Sequence, residues 1–355
     1  MKNTILWYCI LVLVLCATTL NGAESFRKFE QIPYLKQLYE VAQKPVVKMR
    51  LRLGNKEDEV GNAKPVADHG KHPRDFFPLV DGSIWVLDNY NFSLKHFSAL
   101  GKLDKTISLR PWMNDETSAI ADFVVVPEIG IFMLTSPIDT DSQVVHLNEQ
   151  GVELRSWPAA RGNFLHYDPG RKLLFLVTGG FYCVGQKEGV EVYDLAGKEV
   201  MRVIGNGLSG VISGSGEVMG IRVQERDVAE FFRVTGGGEM TVIATYSLDL
   251  PQEEMSSGYE FCSEAGIIGR DAAGAIYAYL LVTSIPDGDR VYTSKLLKLS
   301  ESGAVLGQTD IFFPVTDFFY EETDFFRAFY ITQPDVLLAF DVRGKYYRIL
   351  EYKIR

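Results

Sequence analysis

The chain has 355 residues, beyond the ~250–300 at which a single core usually stops growing, so it holds either one large repeat or barrel domain or two ordinary ones. Hydrophobic residues make up 46% and charged residues 23%, which excludes a disordered chain and a multi-span membrane protein. The formal net charge of −10 repels phosphate backbones and argues against nucleic acid as a partner.

Residues 1–23 read as a secretory signal peptide: Lys2, an apolar run from Ile5 through Val14 to Leu20, and small residues at Gly22 and Ala23. Two alternatives stay open. One is lipidation at Cys16, which the bulky Leu15 before it disfavours; the other is an uncleaved anchor, for which the run is short. The expected location is the periplasm or the cell exterior, with no transmembrane span beyond this segment. Residues 24–45 form an extension in which Phe26, Phe29, Leu35, Leu38 and Tyr39 recur near helical spacing, which predicts a short helix on the outside of the fold. Residues 46–53 alternate apolar and basic side chains with period two and predict a half-buried strand. Export removes Cys9 and Cys16 and leaves Cys183 and Cys262, as one disulfide or two buried thiols.

A recurring turn organises the rest. An aromatic residue or leucine stands four residues before Gly101, Gly151, Gly197, Gly236, Gly303 and Gly344, as a hairpin needs where glycine adopts a positive φ. The mean spacing of about 49 residues is that of one four-stranded propeller blade. A second turn series precedes the first at Gly82, Gly130, Gly170, Gly216 and Gly274, with Gln333, Pro334 and Asp335 as a substitute in the sixth unit. This regularity favours one closed array over two domains.

Across residues 73–88, continued by residues 97–101, the chain resembles the NHL-type six-bladed β-propeller family. The resemblance extends to the units ending at Gly151, Gly197 and Gly303 and covers most of residues 46–355. It implies an all-β fold, a six-bladed β-propeller spanning 46–355. It specifies a fold more than an activity, because the scaffold hosts binding modules, lactonases and lyases. Such rings need a device joining the chain ends, and residues 46–53 are expected to close against the last blade, as its fourth strand or as an extra one.

The candidate chemistry is a series of polar residues preceding phenylalanine: Asp75, Asp122, Asn163, Glu260 and Asp324. Placed at the starts of innermost strands, they would form an acidic ring at one channel mouth, a site for a divalent cation or a basic ligand. The alternative is that they are strand-entry residues bonding neighbouring loops. His69 and His72 lack a third ligand nearby, and His96 and His146 fall at the same blade position, five residues before the turn glycine. The glycine-rich run 205–216 lacks both the Lys-Ser/Thr pair of a phosphate loop and the nucleophile elbow of a serine hydrolase. Residues 311–326 interleave six phenylalanines and a tyrosine with acidic residues, as inter-blade packing or as a recognition surface. The expected partner is a protein or a small-molecule ligand. Two functions follow: a non-catalytic binding or protein-interaction module, or a metal-dependent lactonase-like hydrolase or lyase with its site in the channel.

Overall fold

The structure, a computed structural model, describes residues 42–61, 73–113, 118–137, 142–160, 162–178, 188–225, 227–248, 258–286, 291–313, 329–343 and 345–354. The expected signal segment and N-terminal helix lie outside them. The described residues contain strands and no helix, arranged as six four-stranded antiparallel sheets. In chain order the first five blades are β2(Pro73–Pro78) to β5(Leu103–Ser108), β6(Ser118–Val126) to β9(Glu153–Ala159), β10(Gly162–Asp168) to β13(Glu199–Ile204), β14(Leu208–Ile212) to β17(Met240–Ser247), and β18(Gly258–Arg270) to β21(Val305–Phe313). The sixth combines β22(Phe329–Gln333), β23(Val336–Arg343) and β24(Tyr346–Lys353) with β1(Val46–Arg52) as its outermost strand. The first strands β2, β6, β10, β14, β18 and β22 each touch the next, and β22 returns to β2, so they encircle one axis. The molecule is a six-bladed β-propeller.

Each blade buries both faces against its neighbours, and the core is accordingly split into six apolar clusters, one per junction. Between blades 1 and 2, for example, Trp85, Leu87 and Leu94 meet Phe123, Ile131 and Met133. Between blades 6 and 1, Phe340, Tyr347 and the β1 residues Met49 and Leu51 meet Phe76, Ile84 and Phe97.

β1 is the fourth strand of the last blade, settling the alternative left open by its sequence: Val46 lies opposite Glu351 and Arg52 opposite Tyr346. Its period-two pattern buries Met49 and Leu51 and exposes Lys48, Arg50 and Arg52. Just before it, Gln43 bridges to Ile311 on the fifth blade.

The turn series needs two corrections. Gly101, Gly151, Gly197 and Gly303 occupy the hairpin between third and fourth strands at φ of 74–86°. In blade 4 that place belongs to Gly238, whose N–H donates to the Thr235 carbonyl, rather than to Gly236. Gly344, itself outside the described residues, falls between β23 and β24, the second and third strands of its blade, because the fourth strand comes from β1. The common feature of the true corners is a short polar residue three before the glycine: Ser98, Asn148, Asp194, Thr235 and Ser300. Asn148 Oδ1 and Asp194 Oδ1 each accept backbone N–H groups two and four residues on, fixing the turn that the glycine completes. In the inner series Gly82, Gly130, Gly216 and Gly274 have positive φ, blade 3 uses Lys172 instead of Gly170, and blade 6 uses Asp335.

Candidate functional site

Of the five residues of the expected ring, the innermost strands bring Asp75 and Asp122 to one shared blade position. The register counted from the turn glycines sets corresponding positions: Trp85 lies opposite His96 and Phe132 opposite His146, each histidine being five residues before its glycine. Two residues further along the second strands, Leu87 faces Asp75 and Leu134 faces Asp122, so these two aspartates are equivalent. In blade 3 the same place is taken by Phe164, opposite Val177, with Asn163 in the bulge beside it. In blade 5 it is taken by Gly266, opposite Tyr279, whereas Glu260 lies opposite Ser284 further back along β18. The side chains of Asn163 and Glu260, and all of Asp324, lie outside the described residues.

Asp75 and Asp122 are fully buried. The Asp75 carboxylate accepts the Tyr330 hydroxyl at 2.9 and 2.8 Å on its two oxygens and the Phe76 N–H at 2.8 Å. That ties blade 1 to blade 6. Asp122 accepts the Leu165 N–H and ties blade 2 to blade 3. In both strands a register shift falls immediately before the aspartate, between Pro73 and Asp75 and between Ile120 and Asp122. A bulge of this kind re-aims a side chain.

Neither Glu264 nor His166 was singled out by sequence reasoning. Glu264, on β18, accepts the Tyr279 hydroxyl at 2.6 Å. A Cβ on Gly266 would stand 2.6–2.8 Å from the Tyr279 ring, so only glycine lets that ring cross the strand towards the carboxyl. Burial pushes Glu264 up to about 7, partly countered by the tyrosine bond. His166, on β10, fits against Gly210 of blade 4 and Gly269 of blade 5, where added Cβ atoms would meet it at 2.5 and 3.3 Å. Burial lowers it to about 4, and nearby Asp168 opposes that shift. The repeat spacing gave no hint of either, because each depends on a glycine at another position making room.

His96 and His146 do share one blade position. His96 bonds Ser83 Oγ at 3.0 Å beside Trp85, and His146 bonds the Ile129 carbonyl at 3.1 Å while stacking on Phe132 at 4.2 Å. Burial lowers both. Among the described residues, no three His, Cys, Asp or Glu side chains cluster as a metal site would require, and no helix is long and apolar enough to cross a membrane.

Neither a family model nor a curated protein sequence matches the chain. Solved structures do. The chain is similar to the PQQ-bound aldose sugar dehydrogenase of Streptomyces coelicolor at 13% identity and a TM-score of 0.50, over 88% of this chain and 98% of that one. It is similar to a DUF4221-family protein of Bacteroides vulgatus at 10% identity and a TM-score of 0.47, over 89% and 99%. A calcium-binding regucalcin of Agrobacterium tumefaciens matches at 12% identity and a TM-score of 0.40, over 79% and 90%. The likeness is one of fold.

Proposed function

We propose that the chain is an exported, NHL-type propeller that acts as a non-catalytic binding or protein-interaction module. The observation carrying this reading is the use made of Asp75 and Asp122. Both carboxylates of the expected ring whose side chains are described hold adjacent innermost strands together, and neither has accessible surface to offer a ligand. A fully buried carboxylate that already accepts strong hydrogen bonds is costly to redirect.

A second reading, a metal-dependent hydrolase or lyase in the channel, draws support from Glu264. A carboxyl that burial pushes up to about 7, against the opposing bond from Tyr279, suits general acid–base work. Asn163, Glu260 and Asp324 would then supply oxygen ligands for a divalent cation. Metal analysis of the purified full chain, together with lactone and ester hydrolysis assays on wild type and Glu264→Gln, separates the two. The binding-module reading expects no stoichiometric calcium or zinc and no hydrolysis. Stoichiometric metal with turnover that Glu264→Gln abolishes would overturn it. N-terminal sequencing of the exported protein tests cleavage after residue 22 or 23.

A further inference from the structure

A cleft of about 450 Å³ opens at the perimeter between blades 2 and 3, lined by none of the residues of the expected channel ring. Its apolar wall is Trp157, Pro158, Ala159 and Ala160 at the end of β9, and its opposite wall is Tyr193 of β12 with Glu199 and Arg202 of β13. Gly197 seats the tryptophan: a Cβ there would stand 2.7 Å from the indole ring, so the ring rests on the turn backbone. Tyr193 leans towards the indole at 6.0 Å with an interplanar angle of 52°.

The polar side of the cleft is pre-set. Beneath it the buried Glu191 accepts the Tyr193 hydroxyl, the Ala160 N–H at 3.3 Å and Arg202 Nη2 at 2.8 Å. The same Nη2 also donates to Glu199 Oε2 at 2.7 Å, and this bond is the main reason the guanidinium is held firmly charged. Burial, followed by the bond to Glu191, keeps the Tyr193 hydroxyl protonated. Of the five N–H donors of a guanidinium, the arginine therefore keeps those on Nε and Nη1 for another partner. Glu199, 41% exposed, keeps one carboxylate oxygen.

We propose that this cleft binds a neutral polyhydroxylated ring, a pyranose unit of a saccharide, with its C–H face on Trp157 and a pair of hydroxyls on the Arg202–Glu199 fork. Each hydroxyl both donates and accepts, which matches a fork that offers donors and an acceptor side by side. Two carboxylates against one guanidinium disfavour an anionic ligand, and the guanidinium already fills the place between the carboxylates that a cation would take. An apolar wall with a few convergent polar groups is the usual composition of a small-ligand site. The inference deepens the binding-module reading and rests on it.

The test uses the full chain with methyl β-D-glucoside and cellobiose, followed by saturation-transfer NMR and tryptophan fluorescence. Wild type is expected to transfer saturation to the ring C–H protons and to shift its tryptophan emission. Trp157→Ala should weaken binding at least tenfold, and Glu199→Gln, at an exposed position that leaves the fold intact, by about three- to fivefold, as loss of one hydrogen bond of ~1 kcal/mol predicts. Absence of transfer to either sugar in wild type overturns the site, while the metal and hydrolysis assays independently decide the binding-module reading. Sugar binding that survives both substitutions also overturns this site and leaves that reading standing.

Discussion

Five of the six blade junctions each carry a polar side-chain tie near the surface, and the sixth adds a buried latch made by the segment that connects its two blades. On the five, a side chain from one blade reaches a partner on the next near the surface: Trp112 to Glu153 at 2.9 Å, Arg155 to the Ala196 carbonyl at 3.3 Å, Arg171 to the Ile212 and Ser213 carbonyls, Tyr246 to the Gly303 carbonyl at 2.8 Å, and Lys298 to Asp335 at 2.6 Å. At the junction of blades 6 and 1 a buried ion pair within blade 1 grips the backbone of the segment that follows β1. Lys95, 2% exposed, donates to the Glu59 carbonyl and pairs with Asp88 at 3.1 Å. Asp88 in turn accepts the Gly61 N–H at 2.9 Å and the Asn91 side chain at 2.8 Å. Two glycines make the fit possible, since a Cβ on Gly54 would overlap the Glu59 carboxylate and one on Gly61 would overlap Asp88 and Tyr90.

The difference follows from connectivity. Blades 1 to 5 are continuous in sequence, so a surface tie only trims their orientation. β1 must complete a blade whose other strands lie some three hundred residues away, and its pairing pays a large loop-closure entropy. The polar latch fixes residues 59–61 onto blade 1, so the root of β1 is anchored there as well as by its pairing with β24.

The largest expected effect comes from removing that arm. Deleting residues 42–53 exposes β24 as an unpaired edge and opens the cluster of Phe76, Phe340 and Tyr347, and calorimetry should show loss of a single cooperative transition. A cooperative transition at the wild-type temperature would show that closure rests elsewhere. Lys95→Met should cost about 3–5 kcal/mol in urea unfolding, because it strands the fully buried Asp88. Glu153→Gln, at a surface junction, should cost less than about 0.5 kcal/mol. Equal costs would erase the distinction between junctions. Asp75→Asn, which weakens the bond to Tyr330, should cost about 1–3 kcal/mol without changing the fold.

Much of this ring could be read from the sequence. The blade length, the pairing of β1 with the last blade and most corners of both turn series follow from alternation and from residues that tolerate positive φ. Blade 4 misled because residues 236–238 are three glycines in succession, and only the polar residue three positions earlier identifies Gly238 as the corner. Gly238→Ala, at φ 83°, should therefore cost about 1–2 kcal/mol, whereas Gly236→Ala, with open space around it, should be nearly neutral. The candidate site was less legible. That Asp75 and Asp122 share a blade position is visible as a recurring acid before phenylalanine, but the bulges that set their direction are not, since one extra residue in a strand leaves no mark on composition.

The subtlest effects belong to pH. His166 is neutral in the fold with a value of about 4, so the stability it contributes is present above pH ~6.5 and is lost as pH falls towards 4. Glu264, raised to about 7, contributes in the opposite sense: its share is present below pH ~4.5 and is lost as pH rises through 7. Denaturant unfolding between pH 4 and 8 should show a gentler acid loss for His166→Gln than for wild type, and a gentler loss towards pH 7 for Glu264→Gln. Curves parallel to wild type would show that neither group titrates with the fold.

The pairing of Val46 with Glu351 brings the first and last strands of the propeller side by side in one sheet. The covalent chain is thus broken inside a blade, while every junction between blades is crossed by a connecting segment. In topological terms the order of the blades has no privileged start. A chain joined from Ile354 to Ala42 through a short linker and opened at the exposed turn of Gly236 and Gly237 would trace the same circuit from a different origin.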